Sequence, residues 1–277
     1  MAIVALTGCG GGAARAPVTE PAEPEVIDQA PKALVADAHL VPGETLRFEL
    51  SLRGIVGGEA TLATGEPGTL DGREVVITRS RTETVGLVKA IKNVSDDVIT
   101  HIDFANGAPV FHHADVTFGE KQAVIESHFD GAKVAVNYHR KGRAQRLYRM
   151  TVPAGQTLSD AHSVVAALRG WTPVLGERAY FFVASGRRLW RNNVIAATRE
   201  EVTTSLGRFR ALRIEGVGRR LRRNLAVDPR KRPRKFTIWI TDDAERRPLR
   251  VVGRTEYGDV KAELIEHHIP EKRLVSR

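Results

Sequence analysis

The chain is short of cysteine, with one, Cys9, among 277 residues. No disulfide can close within it, and that says little about its redox compartment. Aromatic residues make up only 6%, too thin a supply for the base-stacking platforms of single-stranded nucleic-acid binders. No apolar run approaches the roughly eighteen residues a helix needs to cross a bilayer. Acidic groups are outnumbered, 33 against 42 Lys and Arg, for a formal net charge of +9. What is present is a 42% hydrophobic composition. That can build a sizeable core over a body of about 235 residues, as one large β domain or two smaller ones.

The single thiol stands in LTGCGGG, residues 6–12. Flanking glycines offer it little packing, so the usual role of a free cysteine as a small buried hydrophobe does not fit. Leu6-Thr7-Gly8-Cys9 resembles a bacterial lipobox, in which a signal peptide is cut before the cysteine and the thiol is acylated. Residues 1–9 then read as a truncated signal peptide with its lipobox, Met1 to Leu6 being too short for a full apolar signal core. A start codon placed too far downstream would account for the short apolar segment. Gly10, rather than an aspartate, resembles the outer-membrane sorting pattern.

Residues 13–43 hold five prolines, many alanines and few large apolar groups. Such a segment cannot bury enough surface to offset its ordering entropy. Residues 10–43 are therefore expected as a disordered tether and 44–277 as the body. The tether has two basic and five acidic residues, so the body carries +12 against +9 for the whole. An excess of that size favours anionic partners.

The body reads as all-β. TLRFELSLR (45–53) alternates apolar and polar, with Leu46, Phe48, Leu50 and Leu52 on one face. Glycines at 54–58 signal a turn or bulge. Further β-like runs cover 73–80, 97–104, 109–117, 121–129, 132–139, 178–185, 188–198, 199–206, 208–216, 234–241, 248–255 and 259–267. NGAP (106–109), FDGAK (129–133) and SGRR (185–188) read as hairpin turns. Links this short suit antiparallel pairing. So many strands need closure or stacking to hide their edges, which predicts a strongly curved sheet or a barrel-like body. One helix is expected near 159–169, with Ser159 as N-cap and Gly170 as its stop.

FTIWITDDAERRPLRV (236–251) resembles the signature segment of a bacterial envelope family, domain of unknown function 3108. Trp239, Thr241, Asp242, Asp243, Arg247 and Pro248 match its aromatic strand, acidic turn and basic-proline exit. The first hairpin with Gly57 and Gly58, the helix segment with Asp160, Ser163, Leu168 and Arg169, and the later hairpins follow in order over about 43–266. The family often has Tyr in the helix segment where this chain has Val or Ala. The resemblance implies an exported or lipid-anchored β protein and no assigned enzymatic activity.

Candidate chemistry is sparse. Asp242 and Asp243 are adjacent, so a strand would point them apart; in a turn they would cap backbone amides, with Arg246 or Arg247 beside them. Ser159, Asp160, His162 and Ser163 supply the residue types of a hydrolase triad, but within one helical turn and without a nucleophile elbow. They read as a capped helix start. His112-His113 and His267-His268 would each diverge on a strand, and a metal site would need two strands to converge with Asp115 or Glu266. Glu200-Glu201 reads as a surface feature. No catalytic constellation, metal set or cofactor motif emerges. The remaining signal is basic: residues 208–235 carry twelve Arg and Lys against Glu215 and Asp228. In a loop, Arg219, Arg220, Arg222, Arg223, Arg230, Lys231 and Arg232 could converge on one patch, and guanidinium forks match phosphate oxygens.

The expectation is a non-enzymatic envelope lipoprotein, facing the periplasm and anchored through Cys9 in the outer membrane. It would bind an amphiphilic or anionic component (lipid, lipopolysaccharide or acidic polymer), with a barrel mouth as a natural pocket. The alternative is an assembly factor contacting envelope proteins. An envelope-polymer hydrolase ranks lower, as does nucleic-acid binding, whose stacking aromatics are missing from the basic stretch.

Overall fold

The computed structural model of the chain describes residues 31–91, 93–255 and 258–270. Cys9, the lipobox and residues 10–30 lie outside the described residues. The elements are β1 (Lys32–Ala33), β2 (Thr45–Leu52), β3 (Ile55–Leu70), β4 (Arg73–Thr84), α1 (Gly86–Ile91), β5 (Val94–Asp103), β6 (Pro109–Phe118), β7 (Lys121–Asp130), β8 (Lys133–Arg140), β9 (Arg146–Thr151), β10 (Leu158–Ser159), α2 (Ala161–Gly170), β11 (Arg178–Ser185), β12 (Arg188–Thr204), β13 (Gly207–Leu221), β14 (Arg234–Thr241), β15 (Pro248–Thr255) and β16 (Gly258–His268). They form one 16-stranded sheet, ordered β1-β11-β12-β13-β14-β15-β16-β2-β3-β4-β5-β6-β7-β8-β9, with β10 also on β11. Only β1 and β10 pair in parallel. Tight hairpins make the rest antiparallel, as short links require.

The sheet curls without closing a ladder, and its ends overlap. The central strand of the overlap is β11, an almost unbroken apolar run, AYFFVA. Ala179, Phe181 and Val183 join a core with Leu46, Phe48, Trp190, Ile214 and Leu264. The alternate residues Phe182 and Ala184 join a second core with Phe129, Val134 and Val136 of β7 and β8. A strand buried on both faces needs apolar side chains at every position. Here the far end of the sheet, β7 to β9, lies over the outer face of β11 and β12. The overlap hides β11 where edge strands would otherwise be exposed.

Helix α2 runs inside this scroll. Asp160, not Ser159, is its N-cap: the Asp160 side chain accepts from the Ser163 amide and the Ser163 side chain answers at the Asp160 amide. The reciprocal pair decides between two adjacent good capping residues. His162, Ser163, Val164, Val165, Ala166, Leu168 and Arg169 are all buried, so the helix is covered nearly all round rather than on one stripe.

Several boundaries differ from the expectation. Residues 31–43, assigned to the tether, pack on the body. β1 pairs with Ala179 and Tyr180, Leu34 and Ala36 pack on the first core, and the His39 amide bonds the Ala166 carbonyl at 3.0 Å. Averaging over 13–43 was misleading, because Leu34, Val35, Leu40 and Val41 are concentrated in this last stretch. The runs 188–198 and 199–206 are one strand, β12, with a bulge between Ala196 and Thr198. Leu52, placed on the buried face, is 39% exposed at the end of β2, while Ser51 is buried. The elements β1, β9, β10 and α1 had no clear periodic signal.

Candidate functional site

The basic segment does converge, though not with every expected member. β13 ends at Leu221 and the chain returns to β14 through 222–233. Asp228 organises the loop. Its carboxylate is 3.3 Å from Arg220 and 3.8 Å from Arg222, and it accepts the Arg230 amide at 3.2 Å. Arg220, Arg222, Asp228, Arg230 and Lys231 line a concavity of about 560 Å³. Because Asp228 is buried, its charge serves the loop rather than solvent. Arg219 does not join them. It pairs in register with Arg191, on the face opposite Arg220, as strand alternation demands. Arg223 and Arg232 are exposed beside the concavity without lining it. Behind it, the Arg234 guanidinium stacks over the Trp190 ring at 4.7 Å.

The residues that look most like chemistry are inside. A directed hydrogen-bond chain starts at Asp160 Oδ2, which accepts from Thr100 Oγ1 at 2.5 Å and lies 2.9 Å from His112 Nδ1. With its proton committed to Asp160, Thr100 accepts from His162 Nδ1 at 2.9 Å. His162 Nε2 then accepts from Ser80 Oγ at 2.8 Å. Burial above all pushes the His162 pKa down to about 3, so the ring is neutral and one tautomer satisfies both partners. Burial alone would raise the Asp160 carboxyl; the hydrogen bonds and charge of His112, with Thr100, hold it well below the usual carboxylate range. The order Ser80, His162, Thr100, Asp160 polarises Ser80 toward an imidazole. Ser80 and His162 are each 2% exposed, and the chain ties α2 to the sheet. Sequence reading missed Ser80 and Thr100 and did not connect His112 with Asp160; these groups lie 48 to 82 residues from their partners. A local signal existed: on β4, small polar Thr78, Ser80 and Thr82 alternate with Ile77, Arg79 and Arg81.

The other end of α2 is clamped by the acidic turn. Arg169 makes a bidentate pair with Glu44 at 2.5 and 2.9 Å and donates to the Glu245 and Arg246 carbonyls. Arg246 answers, donating to the carbonyls of Arg169 at 2.8 Å and Trp171 at 2.6 Å. Arg246 has φ 49°, a left-handed turn fixed by Asp243 Oδ1, which accepts from the Glu245 and Arg246 amides and from Thr241 Oγ1. Arg247 pairs with Asp243 at 3.3 Å, and Asp242 with Arg199 at 3.0 Å. Pro248 opens β15 opposite Ile240. Trp239 donates its indole N–H to Glu200 at 2.6 Å, so Glu200 anchors the signature strand rather than decorating the surface. The expected capping role thus falls to Asp243, while Asp242 makes an ion pair.

The histidine pairs split as alternation dictates. His112 faces inward to Asp160, and His113 outward to Asp115 at 3.2 Å. His267 supports Glu44 at 3.0 Å. Among the described residues no three metal-ligating side chains converge.

The profile of DUF3108, a protein family of unknown function, matches residues 47–265. The chain belongs to the DUF3108 family. The segments through which it resembled that family are thus the ones that lock α2: Asp160 and Ser163 at its start, Arg169 at its end, Thr241 and Asp243 in the turn beneath it. No curated protein sequence matches this DUF3108 chain. Among solved structures it is similar to a β-barrel-like protein of domain of unknown function DUF1849 from Brucella abortus, with a TM-score of 0.54 and 12% identity, covering 84% of this chain and 100% of that one. That likeness is one of fold. Weaker matches are a Bacteroides fragilis protein described as exported, with a YmcC-like fold (TM-score 0.37, 8% identity, 84% and 99% covered), and a Parabacteroides distasonis protein described as a lipoprotein (0.34, 9%, 87% and 100%).

Proposed function

We propose that this protein is a non-enzymatic component of the bacterial cell envelope that binds an anionic, phosphate-bearing partner through the arginine concavity. Acylation of Cys9 holds it in the outer membrane, facing the periplasm. The observation that carries the reading is Asp228. A buried carboxylate gathers the guanidinium groups of Arg220 and Arg222 and the backbone of Arg230 around one hollow, where an unorganised basic loop would spread its like charges apart. Guanidinium forks held in place lose less freedom on meeting a phosphate. The anionic form is favoured over an amphiphile seated in the barrel because α2 occupies the interior. The buried relay supports a non-enzymatic reading, since its groups are consumed in packing.

The test compares the full chain with Arg222→Gln/Arg230→Gln/Lys231→Gln for binding to polyphosphate and to phosphatidylglycerol vesicles. Arg220 is left to hold Asp228. At roughly 1 kcal/mol for each basic residue near an anionic surface, the triple variant should bind about 100-fold more weakly. Wild-type binding should also weaken as salt rises. Equal affinity of the two proteins, or no binding by the wild type to either probe, would refute the proposal. Mass spectrometry of membrane-extracted protein checks the anchor, and a free Cys9 thiol would exclude it.

A further inference from the structure

The concavity shares its end of the barrel with an exposed apolar hairpin tip. One row of register partners crosses the sheet there: Gly216, Phe236, Gly253, Val260, Leu52. Beyond that row β13 continues to Arg220 and its basic loop, and β2 turns into β3 through Arg53-Gly54. Three strand spacings, about 14 Å, separate β14 from β2. The tip is apolar and projects into solvent: Ile55 is 69% exposed, Val56 50% and Leu52 39%. It is also rigid. Arg53 and Gly54 both have positive φ, 51° and 83°, as a two-residue type I′ turn requires. The Arg53 amide bonds the Asp259 carbonyl at 3.1 Å, tying the tip to β16. A turn this well held has no structural need for three exposed aliphatic side chains. Arg53 at the tip adds positive charge to the same end, whereas Lys89 on neighbouring α1 is paired with Glu83 at 3.8 Å.

Apolar side chains pushed outward beside a basic loop match the two layers of a bilayer interface, acyl boundary below and phosphates above. A soluble polyanion would use the arginines and leave the aliphatic tip unexplained. We infer that this end of the barrel docks on an anionic lipid surface, Ile55 and Val56 entering the interfacial layer while the loop of Arg222, Arg230 and Lys231 grips head-group phosphates. The inference rests on the phosphate-binding reading above and names its partner as a membrane rather than a free polymer.

A single-thiol full chain tests it, because Cys9→Ser removes the only native cysteine. Ile55→Cys and, separately, Leu175→Cys are labelled with a polarity-sensitive fluorophore. Leu175 is 50% exposed in the loop before β11, at the opposite end. Phosphatidylglycerol vesicles should blue-shift the label at 55 and leave the one at 175 unchanged. In the unlabelled chain, Ile55→Asp/Val56→Asp should weaken vesicle binding roughly tenfold and leave polyphosphate binding intact. A shift at 175, no shift at 55, or full vesicle affinity in the double variant would overturn the inference. Polyphosphate binding that survives those results would leave the broader reading standing; loss of binding to both probes in the wild type would remove both.

Discussion

Asp96 carries a pH dependence that one substitution should abolish. It lies on the inward face of β5, in register with Thr82 and Val116, and is 4% exposed. Among the described residues no basic side chain pairs with it. Burial raises its carboxyl from 3.8 to about 6. The folded protein therefore holds a proton that the unfolded chain releases near pH 4. Between those values the native state binds more protons than the unfolded one, so stability falls as pH rises, and the loss is complete above pH 6. A shift of about two units corresponds to on the order of 3 kcal/mol. Asp96→Asn keeps the shape and removes the ionisation. Urea unfolding of the two proteins at pH 4, 5, 6, 7 and 8 reads the difference directly, since every other titrating group is common to both. The variant should match the wild type near pH 4 and exceed it by up to about 3 kcal/mol at pH 8. A difference that stays flat across this range, or favours the wild type at high pH, would show that the Asp96 carboxyl is solvated and the reasoning wrong.

Two further substitutions probe the packing around α2 and the sheet. Arg169→Met leaves the buried Glu44 with only His267 beside it and should cost about 3 kcal/mol, a drop in melting temperature on the order of 10 °C. Glu44→Leu/Arg169→Met should lose less than the single variant, as calorimetry would show. A methyl group at Gly216 would collide with the Phe236 ring across the ladder, so Gly216→Ala should destabilise by about 1–3 kcal/mol. Gly216→Ala/Phe236→Leu should recover part of that loss.

The strands were legible wherever the two faces differ in solvent. In β2, Leu46 and Phe48 alternate with Arg47 and Glu49, and in β8 the larger Val134 and Val136 alternate with Lys133, Ala135 and Asn137, so period two is plain. The turns at 106–109, 129–133 and 185–188 carried their own glycine chemistry. The scroll was also written in the sequence, in AYFFVA. A continuous apolar run announces burial on both faces without saying which element covers each. What could not be read was long-range. Nothing local to Asp160 names Thr100 and His112, and nothing near Arg169 names Glu44. The strap at 31–43 was hidden by the Pro- and Ala-rich stretch before it, although Leu34, Val35, Leu40 and Val41 lie within it and Leu34 and Ala36 pack on the first core. Among the arginines, alternation alone excludes Arg219 from the patch, whereas the convergence of Arg220, Arg222 and Arg230 depends on where Asp228 comes to rest.

The disposition of charge separates scaffold from function in this fold. Arg169, Arg246 and Arg247 are spent inside the structure, each meeting a carboxylate or a line of carbonyls at the base of α2. Arg213 and Arg250 are likewise held by Glu200 and Glu263. Removing Arg169 takes the main partner from the buried Glu44 carboxylate, which is a folding defect. The loop at 222–233 differs. Among the described residues no carboxylate pairs with Arg223, Arg230, Lys231 or Arg232, and those side chains are exposed. Neutralising them removes self-repulsion and costs the fold little. Stability and binding should therefore respond in opposite ways to charge removal at the two places. The Arg169 variant loses melting temperature first, and an Arg230→Gln/Lys231→Gln variant, which spares the pairing of Arg220 and Arg222 with Asp228, keeps or gains it while binding its anionic partner more weakly. If the loop variant melts well below the wild type, the basic loop belongs to the scaffold and the separation drawn here fails.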